Sequence, residues 1–298
     1  MKAHLKLVLL AVAASGLVLA LSSCASMDLS AGNLIAVGQG VQQVQKAEQT
    51  EFTPEQEYYI GRAVAANLLS TRKVWDNKAA TDYLNVLERG LVIYSDRPET
   101  FGGYHVLVMD SDEINAFAAP GGLILVTRGL LRCATTEDGV AAILAHETSH
   151  IVLKHGLNAI KEARKTAAYR NLGIAAANTA GGGDVQQLTD LFKDSIADIT
   201  NTLVNNGYSR DLEFQADQMA LKIMRGAGYD PQAFDAMLKL MKTKLKSSGG
   251  LGFAKTHPDP ADRDAAVEKT LSSEQPVTVP PDAASARQSR FQAALGNV

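Results

Sequence analysis

His146 and His150 stand four residues apart, with Glu147 directly after the first, in the stretch His146-Glu147-Thr148-Ser149-His150. On a helix, positions four apart share a face, with Cβ atoms about 5–6 Å apart. Two imidazoles at that spacing can hold one zinc ion, and Glu147 is then placed to take a proton from a water at the metal. The chemistry is metal-assisted hydrolysis, above all of peptide bonds. A helix must carry the spacing, and the flanking Val140, Ile143, Leu144, Ile151 and Leu153 predict a largely buried one. Two histidines and a glutamate buried without partners are costly, and a metal removes that cost.

Catalytic zinc commonly takes three protein ligands and leaves one position open. A third histidine six residues after the pentapeptide would complete one arrangement, but that position is Gly156, and His155 is one residue off. The other option is a carboxylate on a later helix. In Tyr208-Ser209-Arg210-Asp211-Leu212-Glu213-Phe214-Gln215-Ala216-Asp217, the residues Leu212 and Ala216, continued by Ala220 and Ile223, give an apolar face. Glu213 and Asp217, four apart, share a face of their own. Glu213 is the predicted third ligand. Asp217, one turn on, is predicted to accept the free ring N–H of a ligand histidine and so fix its tautomer.

Other elements must position these groups. Thr53-Pro54-Glu55-Gln56 predicts a helix start, with Thr53 as N-cap, running to about residue 72. Residues 79–93 read as a second helix. Short strands are predicted at 105–109, 114–118 and 123–126, with turns at 110–112 and 120–122. Helical patterns fill residues 137–248, with a break at 180–184; within them 231–246 is amphipathic, with Phe234, Met237, Leu238 and Met241 on one side. The expected fold class is α+β, mainly helical, with a small sheet beside the metal helix. The strand at Asn115, Ala116, Phe117 and Ala118 is predicted to bind an extended substrate backbone.

The chain has 298 residues, 46 % of them apolar, and a net charge of −3. That supports a sizeable core and gives no sign of a nucleic-acid partner. Lys2 and Lys6, the uncharged residues 7–21 and the small Ser22-Ser23 form a secretory signal, too short for a membrane span. Leu21-Ser22-Ser23-Cys24 resembles the bacterial lipobox. The resemblance implies lipidation of Cys24, where several acyl chains anchor stably to a bilayer. With Ala25 following, it also implies the outer membrane of a Gram-negative cell, facing the periplasm. Cys133 is expected to be buried and inert. The expected organisation is a signal at 1–23, a linker at 24–50, a metallopeptidase domain at 51–273 and a flexible tail at 274–298. Residues 172–206 are a candidate lid.

The pentapeptide followed by Ser209–Asp217 in the pattern SRxxExxAD resembles the CaaX-prenyl-protease/HtpX-type gluzincin zinc metallopeptidases. Residues 115–122 resemble that family's NAFA…GG segment, Thr127-Arg128-Gly129-Leu130-Leu131 follows as in the family, and His257-Pro258 with Arg263 resembles its HPxxxxR. The likeness runs from about residue 55 to residue 266. It implies a zincin-type domain, one zinc per chain and endopeptidase activity. No long apolar span follows residue 21, so the chain is most similar to the periplasmic lipoprotein members, of the LoiP and BepA kind. It lacks room for the helical-repeat module of BepA-like members, which favours the LoiP-like comparison. Polypeptide substrates are then expected, as unfolded or misassembled envelope proteins, together with outer-membrane assembly machinery as a partner. The alternative is a chaperone-like lipoprotein that holds assembling outer-membrane proteins, with gated or minor proteolysis. His257 and Arg263 are candidate donors to the oxyanion; His257 is alternatively a cap on the resting zinc, and the structural alternative is His257-Pro258 starting a helix with Arg263 in a salt bridge.

Overall fold

A computed structural model describes residues 31–49, 51–178, 207–247, 257 and 260–298. The expected signal, Cys24 and most of the candidate lid lie outside the described residues. The chain divides into two units. In the first, residues 31–49 form helix α1 (Ala31–Gln49), where a linker was expected, and residues 164–178 form the second part of helix α6 (His155–Asn178). Among the described residues, every group marked for chemistry belongs to the second unit, residues 50–163 and 190–298.

That unit opens with α2 (Pro54–Leu69), and its start is the predicted capping box. Thr53 Oγ1 accepts from Gln56 N at 3.2 Å, and Gln56 Oε1 accepts from Thr53 N at 3.0 Å. Helix α3 (Lys78–Val92) follows, capped by Asn77. Strands β1 (His105–Met109), β2 (Ala116–Ala119) and β3 (Leu123–Thr127) form one sheet in the order β1-β3-β2, with β3 parallel to β1 and antiparallel to β2. The second strand starts later than its pattern predicts because Asn115 Oδ1 accepts from Ala116 N at 2.9 Å, a local turn that competes with the ladder.

Side chains alternate across the sheet as the pleat requires. Val106, Val108, Ala116, Ala118, Ile124 and Val126 join the larger core with α3 and the later helices. Met109, Phe117, Ala119, Leu123 and Leu125 join a smaller core with Val64, Ala65 and Leu68 of α2 and Leu157 and Ile160 of α6. Helix α2 lies hard against the β2–β3 turn. A Cβ on Gly61 would stand 1.8 Å from Pro120 O, and one on Gly121, at φ +74, would stand 2.5 Å from Tyr58 Cα. No larger residue fits either place.

After β3 come α4 (Arg128–Leu131), α5 (Glu137–Val152) and α6. Helices α7 (Arg210–Gly226), α8 (Gln232–Ser247), α9 (Pro260–Ser273) and α10 (Pro281–Leu295) follow. The last corrects an expectation. Residues 281–295 are not a tail but a helix that buries Phe291 and Leu295 in the larger core.

Candidate metal centre

Helix α5 is entered through Thr136, whose side chain accepts from Gly139 N, with Glu137 and Asp138 in the first turn where the helix dipole favours acids. Every residue from Gly139 to Ile151 is buried. The polar groups of the pentapeptide must therefore find partners inside the protein. His146 Nε2 and His150 Nε2 lie 3.1 Å apart. Glu213 enters from the first turn of α7, which Ser209 caps. Its Oε2 lies 3.4 Å from His146 Nε2 and its Oε1 3.3 Å from His150 Nε2. His257 joins them, with Nδ1 donating to Glu213 Oε1 at 2.8 Å. Each of the four offers a ligand atom within 4.8 Å of the others. Glu147 stands beside the cluster, Oε1 3.9 Å from His257 Nε2, while its buried Oε2 accepts no hydrogen bond.

A layer of partners holds these groups from behind. Asp217 Oδ1 lies 3.0 Å from His146 Nδ1, the contact expected of it. Arg263 forks onto Asp217, with Nε to Oδ2 at 2.9 Å and Nη2 to Oδ1 at 2.6 Å, and its Nη1 lies 3.1 Å from Glu213 Oε2. Of the two roles open to Arg263, this geometry favours the salt bridge: its guanidinium is buried and paired with two carboxylates that cannot be left unpaired. Two neighbours of His150 carried no sequence signal. His155 Nδ1 lies 2.9 Å from His150 Nδ1, and the Tyr208 ring stacks on the His150 ring, centroids 4.2 Å apart and planes at 17°.

Strand β2 runs past this cluster. A cavity of about 10 Å³, room for about one water, is lined by Val64 and Leu68 of α2, by Ala116, Phe117 and Ala118, and by Glu147 and His257 among others. Asn115, grouped with that strand in the sequence, is not among the lining residues.

Residues 79–271 match peptidase family M48. The chain belongs to this family. It is 26 % identical over 259 residues to the β-barrel assembly-enhancing protease of Escherichia coli (strain K12), covering 85 % of this chain and 48 % of that protein. It is 32 % identical over 166 residues to the mitochondrial metalloendopeptidase OMA1 of Schizosaccharomyces pombe, covering 54 % of this chain and 44 % of that protein. The chain thus spans about half the length of the relatives it matches.

An M48 metallopeptidase implies a divalent metal, and the side chains present fit one. Donor atoms around a tetrahedral metal with bonds of about 2.0–2.1 Å stand about 3.3–3.4 Å apart. The two Nε2 atoms stand 3.1 Å apart, and each faces a different oxygen of Glu213, His146 at 3.4 Å from Oε2 and His150 at 3.3 Å from Oε1, separations of the same size. Glu213 Oε2 is buried and, beyond the ion pair with Arg263 Nη1 at 3.1 Å, accepts no hydrogen bond, which leaves acceptor capacity for a cation.

The M48 site also has an uneven field. Burial and Arg263 pull His146 down, but hydrogen bonds to Asp217 and Glu213 carry its pKa up to about 9. At His150 burial outweighs Glu213, and the pKa falls to about 3. Burial raises Glu147, with His257 and His146 opposing. Glu213 is held well below the usual carboxylate range, against burial, by His257, Arg263 and His150.

Proposed function

We propose that this protein is a zinc-dependent endopeptidase of the bacterial cell envelope, lipid-anchored through Cys24 to the outer membrane and facing the periplasm. Its substrates are unfolded or misassembled envelope proteins. The observation that carries the reading is the buried cluster of His146, His150 and Glu213, with the two Nε2 atoms 3.1 Å apart and each 3.3 to 3.4 Å from a Glu213 oxygen, and Glu147 next to it. The relatives named as a β-barrel assembly-enhancing protease and as a metalloendopeptidase support it.

His146, His150 and Glu213 would hold the metal, and two imidazoles with one carboxylate suit zinc. Bound there, it supplies a Lewis acid that polarises a carbonyl and lowers the pKa of water. Glu147 takes the proton of the attacking water and delivers a proton to the leaving amine, and the burial that raises its pKa brings it nearer to that work. Asp217 orients His146, and Arg263 holds Asp217 and Glu213 in place. Among the described residues β2 pairs only with β3. Its other edge takes an extended substrate through main-chain hydrogen bonds, a mode that reads little side-chain identity. His257, in contact with Glu213 and within reach of the donor set, acts as a cap at rest rather than as an oxyanion donor. That placement also favours the second reading, a chaperone-like binder whose proteolysis is gated.

Zinc content and casein cleavage of the purified chain, wild type and Glu147→Gln, test the proposal. About one zinc in each is expected, with kcat/KM of the variant lower by about 10²–10⁴-fold. Zinc in both without cleavage in either supports the gated binder, and His257→Ala should then release activity. No zinc in either overturns the metal reading.

A further inference from the structure

His155 is 1 % exposed and opens α6, only two residues past the C-cap of the metal helix, Leu153. Between them Lys154 takes φ 58, a left-handed conformation that residues with a Cβ avoid. Its ammonium pairs with the buried Glu57 of α2 at 3.0 Å. The turn folds the chain back on the end of α5, and His155 Nδ1 comes to lie 2.9 Å from His150 Nδ1. Two ring nitrogens facing at that distance need one proton between them. A neutral His150 that offers Nε2 to a metal carries its proton on Nδ1. The facing nitrogen must then be bare.

We infer that His155 is a positioning residue for the metal centre, accepting at Nδ1 the hydrogen bond that holds His150 with Nδ1 protonated and Nε2 free. This rests on the reading of His150 as a metal ligand. His155 fixes the edge of the His150 ring, while Tyr208, stacked at 4.2 Å, fixes its face. The two ligand histidines are therefore held differently. His146 turns its outer nitrogen to a carboxylate, Asp217 at 3.0 Å, and His150 turns its own to a neutral acceptor. Without that acceptor His150 is free to change tautomer or rotate, and a ligand nitrogen is lost to the metal for part of the time.

The test compares His155→Phe, which keeps a ring and removes the acceptor, with His155→Gln, which keeps an acceptor. Zinc dissociation constants come from competition with a chromophoric chelator. The visible spectrum of the cobalt-substituted protein reports ligand geometry, and thermal unfolding of the metal-free proteins reports folding. His155→Phe is expected to weaken zinc binding by about 10–100-fold and to alter the cobalt spectrum, with His155→Gln recovering most of both. Zinc binding and a cobalt spectrum indistinguishable from wild type in His155→Phe overturn the inference. So does a folded His155→Gln as weak as His155→Phe. If His155→Phe does not fold, ring-nitrogen NMR of the zinc-loaded wild type decides: a bare Nδ1 on His155 supports the role, and a protonated one overturns it. A wild type that binds no zinc fails the metal reading itself, separately from His155.

Discussion

Arg263 is the residue on which two accounts of the site diverge. As an oxyanion donor it would face the cleft; here it is buried and neutralises Asp217 and Glu213. Arg263→Met leaves two buried carboxylates without their cation, which costs about 3–5 kcal/mol. Urea unfolding of the metal-free protein should show that loss. A variant of wild-type stability that has lost only turnover would return Arg263 to the chemistry. The groups that sit on one helix were legible in the sequence, because helical spacing alone places His146 beside His150 and Glu213 beside Asp217. The meeting of α5 with α7 was legible only as chemistry, from the need for a third ligand. The role of Arg263 was not, since a guanidinium near a metal site serves either purpose until its partners are seen. His155 was hidden by a turn at Lys154 that has no glycine to announce it.

Burial of α5 on every side obliges its neighbours to answer for its polar groups, and α3 does so with Glu88. Thr148 Oγ1 donates to Glu88 Oε1 at 2.6 Å, from the middle of the pentapeptide. Burial pushes the Glu88 carboxyl up to about 8, with the Thr148 hydrogen bond opposing and Glu147 adding. A pKa raised by folding means that the fold favours the protonated form. The contribution of Glu88 to stability is then fully present below the unfolded value of about 4.3 and is lost as pH rises through about 8. Glu88→Gln keeps the shape and has no proton to lose. Measured by urea unfolding with a chelator present, wild type should lose stability relative to the variant between about pH 5 and 8, by up to about 1.4 kcal/mol per unit. Parallel curves would mean that Glu88 is already ionised in the fold. The sequence announced the helix and its burial through its apolar run, but Glu88 reads as one more polar position on α3. Local signals did better where the chemistry is local, as at the Thr53–Gln56 capping box.

Across the whole second unit, the start of the metal helix is tied down by parts of the chain far from it. Glu137 is buried and accepts from Tyr83 Oη of α3 at 3.2 Å, from Tyr229 Oη before α8 at 3.1 Å, and from Arg290 of α10 through Nη2 at 2.6 Å. Next to it Arg287 Nη1 donates to Asp138 Oδ1 at 2.9 Å, and Nη2 donates to Gly228 O at 3.0 Å. Residues 275–298 are rich in Pro, Ala and Ser, and among the larger apolar residues of the helix Phe291 and Leu295, four apart, hint at a packed face. Such a sparse stripe is not read from sequence because its partners are supplied by α5 and the loop before α8. Removing residues 281–298 should therefore be expensive. Burying each of those two apolar side chains is worth about 1.5–3 kcal/mol, and Glu137 loses its cation besides. The loss, roughly 5 kcal/mol, is a large share of the stability of an ordinary domain. Arg290→Met, which leaves Glu137 both tyrosines and the apolar contacts, should cost only a minor part of it. Urea midpoints for wild type, Arg290→Met and the truncated chain should fall in that order. A truncated chain that unfolds with wild type would make α10 the loose tail its composition suggests. Loss of stability with unchanged zinc affinity in the fraction still folded would place its role at the helix start, not at the metal.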